Sequence, residues 1–462
     1  MLKITNVTAV TMDAERRVIE DAALVIDGRK IAAIGRDTEL SHRYSDVPLL
    51  DGGQMIALPG LIDTHAHADQ SLLRGLGDRL HWMPFLDDIV EPYLQRRDPV
   101  DGVLANQLSM VEMLRSGTTT FVSPNVDPRD DFGALTAAIA ELGIRAVLGR
   151  FIEPQPGEDS RRTARRTVEK ALGVMRRWDN SEDGLVRLWF GLDVPRRAGD
   201  TEHPRFYEAV AQASRETGMG IVYHFCSEIE DAEYIEATYG CRPAEWSRDN
   251  HVLGPNVLLI NGCWVSPLEI EILAETGTHL AHSPVANMKM ATGILPVRSA
   301  LECGVNVSLG TDGALNNNSF DMFGEMKTAC LLQNSACRDA AALSAESALE
   351  MATIRGAAAI GRTHELGSLE PGKLADVVLI DRRDAVPIHN IASNLVFCCN
   401  RANVHTVFVN GRKVVADGRV VGLDEQELAL AAQSRAESIR RQLKLSTGAA
   451  WPIIAPNKPG QH

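Results

Sequence analysis

Residues 58–67 have the sequence LPGLIDTHAH, a short apolar segment that ends in two histidines separated by one residue. Seven further apolar segments follow, and amphipathic stretches lie between most of them. Strands that alternate with helices form parallel sheets, and eight units over about 300 residues predict a closed (β/α)8 barrel of the TIM type. The eight segments are LPGLIDTHAH (58–67), TTTFVSP (118–124), IRAVLGRFIEP (144–154), VRLWFGLDVP (186–195), GIVYHFC (220–226), VLLINGCWV (257–265), THLAHSP (278–284) and NVSLGTDG (306–313).

The main alternative to a barrel is an open, doubly wound parallel sheet. Folds of that kind which bind dinucleotides carry a Gly-x-Gly-x-x-Gly motif after the first strand. No such motif follows residues 58–67, so the sequence favours the barrel.

The two ends of the chain differ from its middle in predicted secondary structure. Both are rich in short β-type segments with hairpin dipeptides such as Asp27-Gly28. Blocks of this kind at opposite ends of a chain can pair. We therefore predict a small β-sandwich domain with a C-terminal helix from residues 1–57 and 364–462, and a metal-dependent catalytic barrel from residues 58–363.

The overall charge excludes some classes of partner. The 462 residues carry a formal net charge of -14, and 45% of them are hydrophobic. A strongly acidic protein is a poor binder of nucleic acid and of anionic membrane surfaces. We therefore expect a small-molecule substrate, with no nucleic-acid or membrane partner.

Cysteine usage and hydropathy indicate a compartment. The eight cysteines form no Cys-x-x-Cys pair, and none occurs in the first 225 residues, so reduced thiols are expected rather than a disulfide framework. The N-terminal residues lack a basic segment followed by an apolar one, and no uncharged apolar run is long enough to cross a membrane. These patterns predict a cytoplasmic protein without a signal peptide.

Metal-ligating residues stand at the C-terminal ends of the predicted strands, where a barrel of this type places its catalytic mouth. The first strand ends in His65 and His67, the fifth carries His224, and the eighth ends in Asp312. Alternate strand residues point to the same side, so both imidazoles of His-x-His should face the interior. Zinc and iron(II) accept nitrogen and carboxylate ligands together. We predict one divalent metal ion on these four residues, zinc first and iron(II) as the alternative; the competing interpretation is a set of hydrogen-bonded core histidines.

The predicted ligand set leaves room for a water molecule. A bound divalent metal lowers the pKa of such a water toward about 7 and yields a nucleophile at neutral pH. Asp312 borders the ion, and its other oxygen can take the proton of the water. The alternative role for Asp312 is a helix N-cap, because GTDGALNNNS (310–319) also fits a strand-to-helix turn.

The sequence resembles the amidohydrolase superfamily, in its branch of s-triazine hydrolases and cytosine/adenosine-type deaminases. The resemblance covers nearly the whole chain, and Gln70, the LLRG run and Trp82 bring it nearest to atrazine chlorohydrolases and triazine aminohydrolases. It implies one metal on His65, His67, His224 and Asp312, and an electron-poor aromatic substrate that loses amine, ammonia or halide. The matching segments are ALPGLIDTHAHADQSLLRGL (57–76), LRSGTTTFV (114–122), HLAHSPVANMKMATGILPV (279–297), GVNVSLGTDGALNNNSFDMFGEMK (304–327) and LGSLEPGKLADVVLID (366–381).

Two positions depart from the pattern of that branch. On strand 5 the family has His-x-x-Glu, whereas here Ser227 holds the third position after His224 and a glutamate follows as Glu228. On strand 6 the family has a histidine where this chain has Asn261. Serine and asparagine cannot act as acids or bases near neutral pH, although both can hydrogen-bond a substrate.

The proton-transfer groups must therefore be sought elsewhere. Asn261 can polarise the scissile group as a hydrogen-bond donor. Glu228 becomes a catalytic candidate if the loop after strand 5 brings it to the site, and is otherwise a solvated loop carboxylate. His282 can replace the missing imidazole, or can orient Asp312 through a hydrogen bond.

The resemblance implies that Gln70 and Trp82 face the substrate, Trp82 by stacking on a flat ring; the alternative for Trp82 is an ordinary aromatic that packs within the loop. Ser227 and Asn316 are expected to line the pocket, and the alternative for Asn316 is a turn residue. The predicted function is a metal-dependent hydrolase of a C–N or C–Cl bond in an aminated or halogenated N-heteroaromatic compound, working as a homodimer or larger homo-oligomer. Two alternatives remain. One is hydrolysis of a urea-, carbamate- or amide-type C–N bond, and the other is a catalytically inactive barrel that binds metal.

Overall fold

The computed structural model describes residues 1–152, 161–193, 195, 204–446 and 451. Residues 153, 154 and 194 of the predicted strand segments lie outside the described residues. The described strands are β1 (Leu2–Val10), β2 (Val18–Asp27), β3 (Lys30–Arg36), β4 (Leu49–Pro59), β5 (Leu61–Asp63), β6 (Thr118–Val126), β7 (Arg145–Phe151), β8 (Val186–Leu192), β9 (Ile221–Phe225), β10 (Val257–Asn261), β11 (His279–His282), β12 (Asn306–Leu309), β13 (Val377–Ile380), β14 (Val404–Val409), β15 (Arg412–Ala416) and β16 (Arg419–Val420).

Strands β5 to β12 form the predicted barrel. Within the described ranges they are eight parallel strands in chain order, each hydrogen-bonded to the next. The two ends of this sheet meet, because the amide of Thr64 donates to the carbonyl of Leu309 at 2.9 Å and the hydroxyls of Thr64 and Ser308 lie 2.8 Å apart. The fold prediction of a (β/α)8 barrel is confirmed.

The helices follow the alternation that the sequence predicts. For example, α5 begins at Asp131, whose carboxylate accepts the amide of Ala134, and ends at Gly143 with φ 78°, a left-handed conformation that suits glycine. The helices are α1 (Asp37–Leu40), α2 (Trp82–Phe85), α3 (Glu91–Arg96), α4 (Pro99–Arg115), α5 (Phe132–Leu142), α6 (Arg161–Trp178), α7 (Pro204–Thr217), α8 (Ile229–Tyr239), α9 (Pro243–Asp249), α10 (Pro267–Thr276), α11 (Pro284–Met290), α12 (Val297–Glu302), α13 (Met322–Cys337), α14 (Ala345–Met351), α15 (Ile354–Ala359), α16 (Ile391–Phe397) and α17 (Glu425–Gln442), with 3-10 turns at Ala68–Leu73, Glu182–Gly184, Arg383–Ala385 and Arg401–Asn403 and a π-helical turn at Leu86–Val90.

The strands of both chain ends pair in a second sheet, as expected. Its order is β16-β15-β14-β13-β4-β1-β2-β3, so β4 joins the N-terminal and C-terminal blocks through an antiparallel ladder with β13. Ile4, Ala57, Val377 and Phe408 are buried together at this junction.

The border between the sheet and the barrel is sharp. Leu58 and Pro59 still pair with β13, and β5 begins at Leu61, so Gly60 alone separates the two strands. A Cβ atom on Gly60 would lie 2.0 Å from Oγ1 of Thr119, which means that only glycine allows this close approach. The exact division of the chain into two domains stays a prediction.

The C-terminal helix α17 packs along the barrel helix α4. Arg435 donates to Asp98 at 2.9 Å and also pairs with Asp101. Ala432 and Ile439 of α17 join an apolar cluster beneath the loop that follows β5. Helix α17 therefore supports one wall of the barrel mouth.

The cysteines and the helices agree with the expectations of reduced thiols and of no membrane-spanning segment. The eight cysteines are all free. In the described part of the chain, every helix is too short or too polar to cross a bilayer.

Candidate metal centre

Three imidazoles converge at the barrel mouth. Nε2 of His67 lies 3.2 Å from Nε2 of His65 and 3.2 Å from Nε2 of His224. The ligand atoms of the three residues all lie within 4.8 Å of one another. Two nitrogens bonded at about 2.0–2.1 Å to a tetrahedral ion are themselves about 3.3–3.4 Å apart. The observed spacing therefore matches that of ligands around a single cation.

Hydrogen bonding alone does not account for this arrangement. One hydrogen on Nε2 of His67 cannot serve contacts to His65 and His224 at the same time, whereas a cation between the three nitrogens can. Burial lowers the pKa of His65 to about 4, so its ring is neutral at physiological pH. Neutral imidazole is the form that binds a metal. The donor set present fits a divalent ion.

Ser283 orients the first of these imidazoles. Nδ1 of His65 lies 2.9 Å from the hydroxyl of Ser283, and both residues are fully buried. When Nδ1–H donates to this hydroxyl, the ring is held in the tautomer that leaves the lone pair of Nε2 for a metal. Sequence reasoning missed Ser283, because its partner lies 218 positions away.

Asp312 stands beside two of the histidines. Its Oδ1 lies 3.5 Å from Nε2 of His65 and 3.6 Å from Nε2 of His67. The same oxygen accepts the amide of Gly313 at 2.8 Å, and no hydrogen bond from the described residues reaches Oδ2. Asp312 has φ 63°, a left-handed conformation that is costly for a residue with a side chain and that is typical of functional sites.

Buried polar residues hydrogen-bond Thr311, the residue before Asp312, and so fix the loop that carries Asp312. Asp63 accepts the amide of Thr311 at 3.0 Å and also its hydroxyl. Burial, together with the nearby charge of Asp312, raises the pKa of Asp63 to about 7. Asn317 donates to the carbonyl of Thr311 and to Glu325, both at 2.6 Å, and burial raises the pKa of Glu325 well above its usual range. The sequence singled out neither Asp63 nor Glu325.

Gly310 makes the approach of the first and last barrel strands possible. A Cβ atom at this position would lie 2.5 Å from Cβ and 2.7 Å from the backbone nitrogen of His65. Because the contact includes backbone, it cannot be relieved by rotating a side chain.

We expect Gly310→Ala to push His65 out of position and to destabilise the protein by about 1–3 kcal/mol, the usual cost of overpacking. Metal content by mass spectrometry and unfolding by circular dichroism test this. Gly324→Ala is the control, because a Cβ there would meet no atom within 4 Å. Full metal content and wild-type stability in Gly310→Ala would contradict the packing argument.

The loop after β5 covers the centre with an aromatic side chain. The ring centroid of Trp82 lies 6.3 Å from that of His224, and Trp82 stacks on Phe85 at 6.0 Å. Gln70 is buried, and a Cβ on Gly313 would lie 3.0 Å from its Oε1, which puts this amide next to Asp312. Asn316 accepts the amide of Gly313 at 2.8 Å. Each lies near the centre, and their contacts with a substrate stay predictions.

The two residues that depart from the family pattern contact each other. Asn261 donates from Nδ2 to the hydroxyl of Ser227 at 2.9 Å, and both are buried. Glu228 follows at the start of α8 and is partly buried. Burial raises the pKa of Glu228 to about 7, with smaller contributions from Asp231 and Glu230. A carboxyl with this pKa can hold or release a proton near neutral pH.

His282 ends β11 and has no exposed surface. Neither of its ring nitrogens has a hydrogen-bond partner among the described residues, so the alternative role of a hydrogen bond to Asp312 finds no support. Burial lowers the pKa of His282 to about 3, which keeps the ring neutral. Its predicted catalytic role remains a prediction.

A barrel whose mouth gathers three imidazoles and a carboxylate is the arrangement of a metal-dependent hydrolase. The chain belongs to the amidohydrolase family, whose model matches residues 56–414. It is therefore a hydrolase that acts on carbon–nitrogen bonds, and the family and the enzyme class predicted from the sequence are confirmed.

Named relatives and solved structures agree with this assignment. The chain is 34% identical over 436 residues to 5-methylthioadenosine/S-adenosylhomocysteine deaminase of Pelotomaculum thermopropionicum, covering 94% of this chain and 97% of the relative. An adenosine deaminase from Xanthomonas campestris with bound zinc superposes with a TM-score of 0.86 at 26% identity, over 95% of this chain and 98% of that one. Atrazine chlorohydrolase from Arthrobacter aurescens, in complex with zinc, gives a TM-score of 0.85 at 27% identity, over 94% and 100%.

Proposed function

We propose that this protein hydrolyses the exocyclic amine of an aminated N-heteroaromatic compound, with an adenosine-type nucleoside as the first candidate. The observation that carries the proposal is the set of three imidazoles at 3.2 Å spacing beside Asp312. Relatives named as adenosine-type deaminases, which align over almost the whole chain, support this substrate class. In the reaction, water adds its oxygen to the ring carbon, the bond to the amine breaks, and ammonia leaves.

We infer that zinc is the resident metal, because two solved structures similar to this chain contain it. His65, His67, His224 and Asp312 would hold the ion. When bound, a zinc ion supplies Lewis acidity and lowers the pKa of a water molecule to about 7. Iron(II), the alternative, accepts the same donors.

The residues of the chain divide the remaining tasks. Asp312 accepts the proton of the attacking water, because its Oδ1 is engaged by Gly313 and its Oδ2 remains for the water. Glu228 donates a proton to the departing amine, because its pKa of about 7 leaves it partly protonated at neutral pH. Trp82 stacks on the flat ring of the substrate and excludes water.

The role of Glu228 predicts a specific pH dependence. As a proton donor it must be protonated, so kcat/KM should fall as the pH rises through about 7. In Glu228→Gln we expect this alkaline limb to vanish and kcat to fall about 100-fold, the usual contribution of a general acid. Rates measured from pH 5 to pH 9 test this.

Glu230→Gln is the matched control for that profile. Glu230 is exposed and raises the pKa of Glu228 through its charge. Its removal should shift the limb to lower pH and leave kcat within about twofold. An unchanged limb in Glu228→Gln would remove Glu228 from the mechanism.

A substrate panel combined with metal analysis tests the proposed function. Purified enzyme with a measured metal content is incubated with aminopurine nucleosides, amino- and chloro-s-triazines, ureas and carbamates, and ammonia or halide release is recorded. Turnover of aminated rings supports the proposal. Turnover of ureas or carbamates alone would contradict it, and equimolar metal without any turnover would favour an inactive metal-binding barrel.

Two further properties remain expectations. We expect a homodimer or larger homo-oligomer, which light scattering would test. We also expect a cytoplasmic location, because the thiols are free and such thiols are typical of reducing compartments.

A further inference from the structure

The side chain of Glu325 joins two segments that support the proposed metal ligands. Glu325 lies on α13 and exposes 1% of its surface. Its Oε1 accepts Nδ2 of Asn317 at 2.6 Å, and its Oε2 accepts the backbone amide of Val285 at 3.3 Å. Asn317 follows strand β12, and Val285 belongs to α11, which follows β11. One carboxyl group therefore bridges the segments that leave two adjacent barrel strands.

The contact with Asn317 leads to Asp312. Nδ2 of Asn317 also donates to the carbonyl of Thr311 at 2.6 Å, and Thr311 directly precedes Asp312. The φ of 63° at Asp312 is a strained conformation, which persists only where surrounding contacts hold it in place. Glu325 therefore supports the backbone that aims Asp312, with Asn317 between them.

The contact with Val285 leads to His65. Val285 comes two residues after Ser283, whose hydroxyl lies 2.9 Å from Nδ1 of His65. Ser283 has no exposed surface. The residue between them is Pro284, whose ring fixes its own φ angle. Because few backbone bonds can rotate between Val285 and Ser283, an anchor on the amide of Val285 also restrains the hydroxyl that orients His65.

Glu325 makes these contacts without a cation to balance its carboxyl group. Among the described residues it has no ion pair, and its hydrogen bonds come from a neutral side-chain amide and a backbone amide. A carboxyl group is costly to bury under these conditions. An apolar side chain at position 325 would avoid that cost, but it would leave the donors of Asn317 and Val285 without partners. The two contacts are therefore what this buried acid contributes.

We propose that Glu325 is a positioning residue that holds His65 and Asp312 at the spacing that one metal ion requires. His65 follows the first barrel strand and Asp312 follows the eighth, so each is carried by a separate segment of the chain. Metal–ligand distances vary by only about 0.2 Å in well-formed sites, and the loss of a shared anchor should displace both ligands together. The inference rests on the zinc ligands of the proposed function and adds a residue that acts on them through other residues.

Zinc affinity, measured by competition with a chelator, tests the proposal in Glu325→Gln and Glu325→Met. Glutamine keeps one of the two acceptor oxygens, whereas methionine keeps neither and fills a similar volume. We expect zinc affinity to fall about 10-fold in Glu325→Gln and about 100-fold in Glu325→Met, the range for residues that orient metal ligands. The visible absorption spectrum of the cobalt(II)-loaded protein, which reports ligand geometry, should change in both variants.

Glu269→Gln is the matched control for a general loss of stability. Glu269 is also fully buried; it accepts the amide of Ala244 at 3.1 Å and pairs with Arg242 at 2.7 Å. None of these contacts is with a proposed metal ligand. We expect its unfolding temperature to fall while its zinc affinity stays within about twofold of wild type, as for sites that do not share partners. A loss of zinc in Glu269→Gln as large as that in Glu325→Gln would overturn the proposal.

A double-mutant cycle tests whether Asn317 acts together with Glu325. Asn317→Ala should lower zinc affinity about tenfold in the wild-type background and less than about twofold in Glu325→Met, because the shared contact is already lost there. The same tenfold loss in both backgrounds, or wild-type zinc affinity and cobalt spectra in both Glu325 variants, would overturn the inference while the proposed zinc ligands stand. Failure of the wild-type protein to bind zinc would overturn the ligand set and this inference together.

Discussion

Replacing Asp312 by asparagine is expected to lower kcat about 1,000-fold, within the range lost when a general base is removed. The asparagine keeps the shape of the side chain, and its oxygen can still accept the amide of Gly313, which now lies at 2.8 Å. What disappears is the negative charge 3.5 Å from His65 and 3.6 Å from His67, and with it the ability to take a proton near neutral pH.

The measurement is steady-state turnover of the substrate found by the panel, together with metal content and circular dichroism. Asp321→Asn is the matched control, because Asp321 caps α13 through the amide of Phe323 and asparagine caps a helix equally well. We expect the control to stay within about twofold of wild type. A rate close to wild type in Asp312→Asn would exclude Asp312 as the base.

The second large effect is expected from His65→Ala, which should lose the metal. His65 is fully buried and supplies one of the three converging nitrogens. Removing it leaves two imidazoles, and we expect metal affinity to fall by more than about 100-fold, since even changes to residues behind a ligand cost 10–100-fold. Dialysis against a weak chelator, followed by mass spectrometry of the bound metal, measures this.

His279→Ala is the comparison for that experiment. His279 stands at the opposite end of the strand that carries His282, and its Nε2 lies 3.1 Å from the carbonyl of Pro255, away from the mouth. It should retain a full complement of metal. Equal retention by His65→Ala would refute the assignment of His65 as a ligand.

The barrel could be predicted from sequence because each strand is a short apolar segment followed by an amphipathic helix, a local pattern. The boundaries of the strands could not be predicted in the same way. The segment at 58–67 is divided at Gly60 between two sheets, because Leu58 pairs with β13 while Leu61 starts the barrel. His65 and His67 lie beyond β5, so their convergence depends on the loop after the strand and not on strand alternation.

The candidate metal centre could be proposed from the sequence because residue types that bind metals stand at the ends of predicted strands. His65, His67, His224 and Asp312 stand out because metal-binding side chains recur at strand ends. The supporting residues carry no such signal. Ser283, Asn317 and Glu325 are ordinary polar residues in the sequence, and their importance comes from burial and from the partners that the fold brings to them. Long-range contacts of this kind are decided by the fold.

The packing of α17 has a consequence for the integrity of the whole chain. Ala432 and Ile439 share an apolar cluster with Leu72 and Trp82, and Trp82 is the aromatic neighbour of His224. A polypeptide that ends before Glu425 because of a premature stop codon would retain all four proposed ligands. It would lack the apolar side chains of α17 that pack in the cluster of Trp82. Catalytic competence is therefore expected to require translation through α17.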